Sequence, residues 1–138
     1  LSGHGVGVYI VHDKPTVPNY DNGDKTKLEE GQKIAIEPFA TTGIGLVSDG
    51  KLAGIYRLIQ KRPVRLDSAR KAIEFIEKEY KTLPFCSRWL KFPNVNLILR
   101  ILEKEEVINQ YTQLPEKSGG ILSQAEHTEE VGYGVLTK

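Results

Sequence analysis

The sequence predicts an α+β fold, and three observations predict it. Short runs with strand character open and close the chain. Between them, from residue 66 to residue 115, the apolar period lengthens from 2 to 3.6. No repeat or low-complexity segment breaks this order, so strands, then helices, then strands give a layered α+β arrangement. The 138 residues, 39% hydrophobic and 27% charged, suffice for a globular domain with a core.

The elements follow in order. Val6 to His12 reads as one strand. Asp13 to Gly31 is a polar connection punctuated by the turn formers Pro15, Pro18, Asn19, Asn22 and Gly23. Lys33 to Phe39 reads as a central strand, with Ile34 and Ile36 on one face and Ala35, Glu37 and Phe39 on the other. Thr42 to Gly45 and Ser48-Asp49-Gly50 read as turns, the second as a hairpin turn, and Gly54 to Gln60 as the next strand. The period then changes. Asp67 or Ser68 is positioned to cap a helix over Ala69 to Tyr80, whose stripe is Ala69, Ala72, Ile73, Ile76 and Tyr80. Pro84 ends it, and Phe85, Trp89 and Leu90 suggest a helical turn against that stripe. Asn94 or Asn96 is positioned to cap a second helix with Leu97, Ile98, Ile101 and Leu102 on one face. Val107 to Leu114 is extended, Ser118-Gly119-Gly120 turns, Ile121 to Thr128 is a strand, and Gly132 to Thr137 pairs back on it antiparallel. The organisation expected is strands at 1–65, a helical block at 66–115 and strands at 116–138.

Composition narrows the function classes. A net charge of +1 selects neither nucleic acid nor a membrane surface. The single Cys86 cannot form an internal disulfide, so it is expected as a reduced core thiol beside Phe85 and Trp89. No run approaches a membrane span of roughly 18 to 20 apolar residues. Residue 1 is Leu and the chain has no Met, so a piece of a longer chain is expected.

Four residues stand out as site candidates: His4, His12, Glu37 and Glu126. His4 lies between Gly3 and Gly5, where backbone can approach a ligand closely. Eight residues of extended strand separate His4 from His12, about 26 Å at roughly 3.3 Å each. Unless the chain bends sharply, the two histidines are therefore expected to do different jobs. Glu37 ends an apolar strand just before Pro38, and Glu126 shares a strand face with Leu122, Gln124 and Thr128. Two carboxylates and an imidazole suit a hydrated divalent metal. Each residue alone also fits a plainer role, a Glu on a solvent face or a hydrogen-bonded loop His. A second reading comes from Arg57, Lys61, Arg62, Arg65, Arg70 and Lys71, which cluster as an RNA- or ribosome-binding face or as a solvated basic face.

Several motifs occur together: Gly3-His4, Pro18-Asn19, Ile36-Glu37-Pro38-Phe39-Ala40-Thr41, Lys61-Arg62-Pro63-Val64-Arg65, Tyr80 to Phe85, Arg88-Trp89-Leu90 and Gln124-Ala125-Glu126-His127-Thr128. In combination they resemble the type II methionine aminopeptidases of archaeal character, from end to end of the chain. The resemblance implies the C-terminal half of a pita-bread (creatinase/aminopeptidase) fold with an inserted winged-helix-like helical subdomain. It implies metal ligands at His4, Glu37 and Glu126, the last bridging two divalent ions (Co, Mn, Fe or Zn). His12 then contacts the substrate peptide, and His12 and Glu37 serve catalysis. The reaction implied is removal of the N-terminal methionine from nascent proteins in the cytoplasm, with methionyl peptides as partners, the ribosome as a further one, and neither membrane nor specific DNA.

Two features depart from that pattern. Asp13 to Tyr20 resembles the type I enzymes instead. The family's two aspartate ligands and a further histidine lie upstream of the His4 position, and Asp13, Asp21, Asp24, Asp49 and Asp67 do not match them. Three of five ligands are thus expected here, with a missing N-terminal half as partner and no activity for the chain by itself. The alternative is a non-catalytic pita-bread relative, or an RNA- or ribosome-binding module using the basic block.

Overall fold

A computed structural model describes residues 1–137. In chain order the strands and helices are β1 (Ser2–Gly7), β2 (Ile10–Pro18), β3 (Lys33–Ile36), β4 (Phe39–Thr41), β5 (Leu52–Leu58), α1 (Asp67–Glu79), β6 (Phe85–Cys86), α2 (Val95–Lys104), β7 (Ile108–Thr112), β8 (Leu122–Gln124), β9 (His127–Glu130) and β10 (Gly134–Val135), with a 3-10 turn at Ser87–Trp89. They form two compact units. One joins Leu1–Ser48 to the stretch from Leu114, and the other is Asp49–Gln113. The inserted unit therefore begins well before residue 66. The reason is β5, which pairs with β6 and β7 and so folds with the helices.

The first unit carries an antiparallel sheet in the order β10-β9-β3-β1-β2 and a two-stranded ribbon of β4 and β8. The single strand expected over Val6 to His12 is instead a hairpin. Gly7 opposes Ile10, and Tyr9 takes a φ of 58° in the turn. The uninterrupted apolar run hid this reversal. Gly3 and Gly5 explain how β1 fits between its neighbours. A Cβ on Gly3 would overlap the Ala35 carbonyl oxygen, and one on Gly5 would overlap that of Lys14.

Two expected strands are each broken in the middle, and the breaks coincide. The run 33–39 divides at Glu37-Pro38: β3 pairs with β9, and β4 pairs with β8. The run 121–128 divides at Ala125-Glu126, between β8 and β9. The Ala125 amide donates to the Pro38 carbonyl at 3.2 Å, tying one break to the other. Both acids thus sit where a strand changes sheets. Ile34 is 2% exposed but Ile36, placed on the same face by the alternation, is 44% exposed beside this break. Val8, Ile44, Ile121, Tyr133 and Val135 are also exposed. Ser48-Asp49-Gly50 makes no hairpin; Ser48 donates to the Pro115 carbonyl at 3.1 Å as the chain leaves the unit.

Glu116 is one of two buried polar side chains among the described residues, His4 being the other. Its carboxyl is held at about 2, down from an ordinary 4.5. The Ser118 hydroxyl is the largest cause; desolvation opposes it, and the Gly120, Ser118 and Ile44 amides assist. The folded value lies below the ordinary one, so the stability it contributes is complete above about pH 4.5 and is lost as pH falls through about 2. Glu116→Gln should flatten the stability profile in that window, measured as urea midpoint against pH. Profiles of equal slope would contradict the assignment.

In the second unit, β6-β5-β7 forms an antiparallel sheet. Its core includes Ala69, Ala72 and Ile76 of α1, Ile98, Leu99 and Leu102 of α2, and Phe85, Val107 and Ile108. The α1 stripe lies where the 3.6 spacing predicts it. The cap does not: Leu66 precedes the helix, and the Asp67 carboxylate turns back to Arg70 (3.1 Å) and Lys71 (2.9 Å). Asn94 precedes α2 with φ 56° and no side-chain cap bond. The buried face of α2 is rotated from the expected one, with Leu99 inside and Leu97 exposed. In the run Leu97-Ile98-Leu99 every position is apolar, so periodicity cannot choose among them. Cys86 is only half-buried, and Trp89 is exposed beside Tyr80.

Four of the six residues of the basic cluster pair with acids. Lys61 pairs with Glu77, Arg62 with Glu106 at 2.8 Å, and Arg70 and Lys71 with Asp67. The compensating acids come from α1 and the turn after α2. A phosphate backbone would have to compete with these partners. Among the described residues no helix is long and apolar enough to cross a membrane.

Candidate metal centre

The site is built on the break between sheets. His4 sits in mid-strand, opposite Thr16 of β2 and Ala35 of β3, and is 7% exposed. Its Nδ1 lies 2.8 Å from the Gly5 carbonyl oxygen, which can only accept, so Nδ1 carries the hydrogen. Nε2 then faces Glu37 Oε1 at 2.8 Å. A neutral ring presents a lone pair there, and two lone pairs so close call for a shared proton or cation.

Glu37 is held from two directions. The Asn19 side chain donates to its backbone carbonyl at 2.9 Å and fixes the chain at the break. Gln124 Nε2 donates to Glu37 Oε2 at 3.1 Å and to Glu126 Oε2 at 3.4 Å. The result is a continuous row, His4–Glu37–Gln124–Glu126. Residues separated by most of the chain meet because β4 and β8 run side by side, with Phe39 opposite Gln124.

His12 joins this group, which corrects the 26 Å separation argued from an unbent strand. The β1–β2 hairpin brings its ring centroid to 4.4 Å from that of His4, at an interplanar angle of 63°. His4, His12 and Glu37 line one cavity of about 530 Å³ with Asp13, Lys14 and Thr16. Glu126 enters the group through Gln124. His127 stands apart, its Nδ1 3.2 Å from the Thr137 hydroxyl, which also accepts from the Thr128 amide at 2.9 Å.

Sequence reasoning did not assign Gln124 or Asn19 to the site. A signal existed for Gln124, which lies two residues before Glu126 and so shares its strand face. For Asn19 the only signal was its place in the Pro18-Asn19 motif, since it acts through a backbone carbonyl 18 residues away.

Comparison with known proteins adds the family. The model of metallopeptidase family M24 matches residues 1–77. The chain belongs to metallopeptidase family M24. Methionine aminopeptidase from Archaeoglobus fulgidus is 44% identical over an alignment of 141 residues, covering 100% of this chain and 48% of that protein. The methionine aminopeptidases of Methanothermobacter thermautotrophicus and Methanocaldococcus jannaschii are 41% and 42% identical, again over 100% of this chain and 48% of theirs. The chain spans about half the length of the curated relatives it matches. A solved structure of a thermophilic Arx1 superposes with a TM-score of 0.75 over 92% of this chain and 36% of its own, at 18% identity. The M24 chain thus has part of the α+β pita-bread fold, as the resemblance implied.

Membership in M24 implies divalent metal ions, and the donors can be tested against that. An imidazole nitrogen and carboxylate oxygens are the right types for Co, Mn, Fe or Zn. Two ligands at about 2.1 Å from one ion and at right angles stand roughly 3 Å apart. At the tetrahedral angle the separation is about 3.4 Å, and the 2.8 Å between His4 Nε2 and Glu37 Oε1 is an ordinary hydrogen-bond distance. The row does not close into a shell: among the described residues no three His, Cys, Asp or Glu side chains are grouped to hold an ion by themselves. His4 Nε2 and the Glu37 carboxylate are of the right donor types for a divalent ion.

Proposed function

We propose that this chain supplies part of the active site of a peptidase that removes N-terminal methionine, with the remaining ligands carried by residues outside it. The observation that carries the reading is the His4–Glu37–Gln124–Glu126 row beside His12, in a chain 41% to 44% identical over its length to three methionine aminopeptidases. Its substrates are then peptides with a free N-terminal methionine. Its second partner is the missing half, and its compartment is the cytoplasm, where the lone Cys86 stays reduced.

His4, through Nε2, and the carboxylates of Glu37 and Glu126 would hold two divalent ions together with ligands from the other half. When bound, such ions supply Lewis acidity and a water acidified toward neutral pH. Glu37 accepts the proton of the attacking water, since its oxygens face the cavity beside His4. His12 donates to the scissile carbonyl oxygen as negative charge grows there. Gln124 keeps the two carboxylates at a fixed separation through its single NH2 group.

Release of methionine from Met-Ala-Ser, with each of the four metals added, tests the reading. The full-length protein should turn over, and the present chain alone should not. Failure of the full-length protein with every metal would overturn the proposal. Loss of the carboxylate-bridging amide gives a further check. Gln124→Leu should weaken Mn²⁺ affinity by about 10- to 100-fold in isothermal titration of the full-length protein. Unchanged affinity would make the row incidental.

A further inference from the structure

We propose that Glu116 is a positioning residue that pins the register of the β4–β8 ribbon, and through it the relative placement of Glu37, Gln124 and Glu126. The part of this inference that concerns turnover rests on the function proposed above.

The Glu116 carboxylate sits at the end of the ribbon away from the site. Oε2 accepts from the Ser118 hydroxyl (2.6 Å), the Ser118 amide (2.7 Å) and the Gly120 amide (2.9 Å). Oε1 accepts from the Ile44 amide at 2.8 Å. One side chain therefore ties the loop after β4 to the turn before β8. The space for it is made by omission. A Cβ on Gly43 would overlap the carboxylate, and one on Gly120 would overlap the Gly43 backbone. Thr41 and Thr42 add bonds of 2.9, 3.0 and 3.0 Å with Ile121 beside it.

The ribbon between the two ends is short. Its pairs are Phe39 with Gln124, Ala40 with Ser123 and Thr41 with Leu122. Three pairs of mostly small or exposed residues specify register weakly, and a slip of one residue turns every side chain to the opposite face. Such a slip would take Gln124 away from Glu37. The carboxylate prevents it, because its two oxygens bind amides on both strands' extensions and a shifted register would leave them unmatched in a closed site.

The test compares wild type, Glu116→Gln and Gly43→Ala in the full-length protein. Gln retains the shape but turns an NH2 toward an amide hydrogen. Ala at residue 43 leaves Glu116 intact and displaces its carboxylate. Amide hydrogen exchange is the primary readout. Both variants should speed exchange about tenfold or more at Ile44 and Gly120 and also at Ala125, whose bond to Pro38 lies at the far end of the ribbon, with amides of the 49–113 unit unaffected. The second readout is turnover of Met-Ala-Ser, where kcat should fall by about 10²-fold with little change in KM. Faster exchange confined to Ile44, Ser118 and Gly120, with Ala125 still protected, would overturn the inference. So would wild-type kcat in a variant whose Ala125 is deprotected. If Glu116→Gln does not fold, Gly43→Ala decides. If wild type itself releases no methionine, the proposed function fails, and the exchange at Ala125 still decides the register.

Discussion

Glu37→Ala in the full-length protein should lower methionine release by roughly 10²- to 10⁴-fold, the range attached to a lost general base. The loss should be large because, in the proposed function, one side chain serves as ligand and as base. Its Oε1 lies 2.8 Å from His4 Nε2, and its carboxylate lines the cavity with His4 and His12. Alanine removes both and leaves Gln124 bound to Glu126 alone. Glu37→Gln separates the two. It keeps an oxygen that can ligate but cannot take a proton, so metal content should survive better than turnover. The measurement is metal analysis after dialysis alongside kcat. Wild-type turnover in Glu37→Ala would remove Glu37 from the chemistry.

The largest effect on stability is expected at Phe85. It is fully buried in β6, with its ring 6.0 Å from that of Tyr56 and 5.3 Å from that of Tyr80, both nearly parallel to it. Phe85→Ala leaves a cavity that the two stacked tyrosines cannot close without losing their stacking. Truncations of this kind cost about 3 to 5 kcal/mol. In a unit of this size each kcal/mol moves the melting temperature by about 4 to 8 °C. A calorimetric transition lowered by on the order of 15 °C is expected for the 49–113 unit. A shift of a few degrees would mean that the cavity collapses or fills.

The helices were legible because their signal is local. Ala69, Ala72, Ile73 and Ile76 repeat at 3.6 within one turn-by-turn pattern, and they are the residues α1 buries. What the sequence concealed was pairing. Val6 to His12 is apolar throughout, so nothing but Gly7 marks the reversal that brings His12 against His4. The run 33–39 alternates correctly across Glu37, yet the chain there leaves one sheet for another, and that depends on partners 87 residues away. Glu116 was the least readable. In Pro115-Glu116-Lys117-Ser118-Gly119-Gly120 it looks like any loop carboxylate, and only the Ile44 amide, 72 residues distant, gives it a role. Glu37 and Glu126 stand out in the sequence by residue type and motif, and the fold brings both to the Gln124 side chain.

The coincident breaks explain why no compact spacing motif marks the two acids. The excursion between them returns to its starting point, with Ser48 hydrogen-bonded to Pro115 where it departs and rejoins. The distance between Glu37 and Glu126 is thereby decoupled from the number of residues looped out, as the mouth of a purse is indifferent to its contents. Insertions or deletions within 49–113 alter the spacing that a motif search would count while the acids stay side by side.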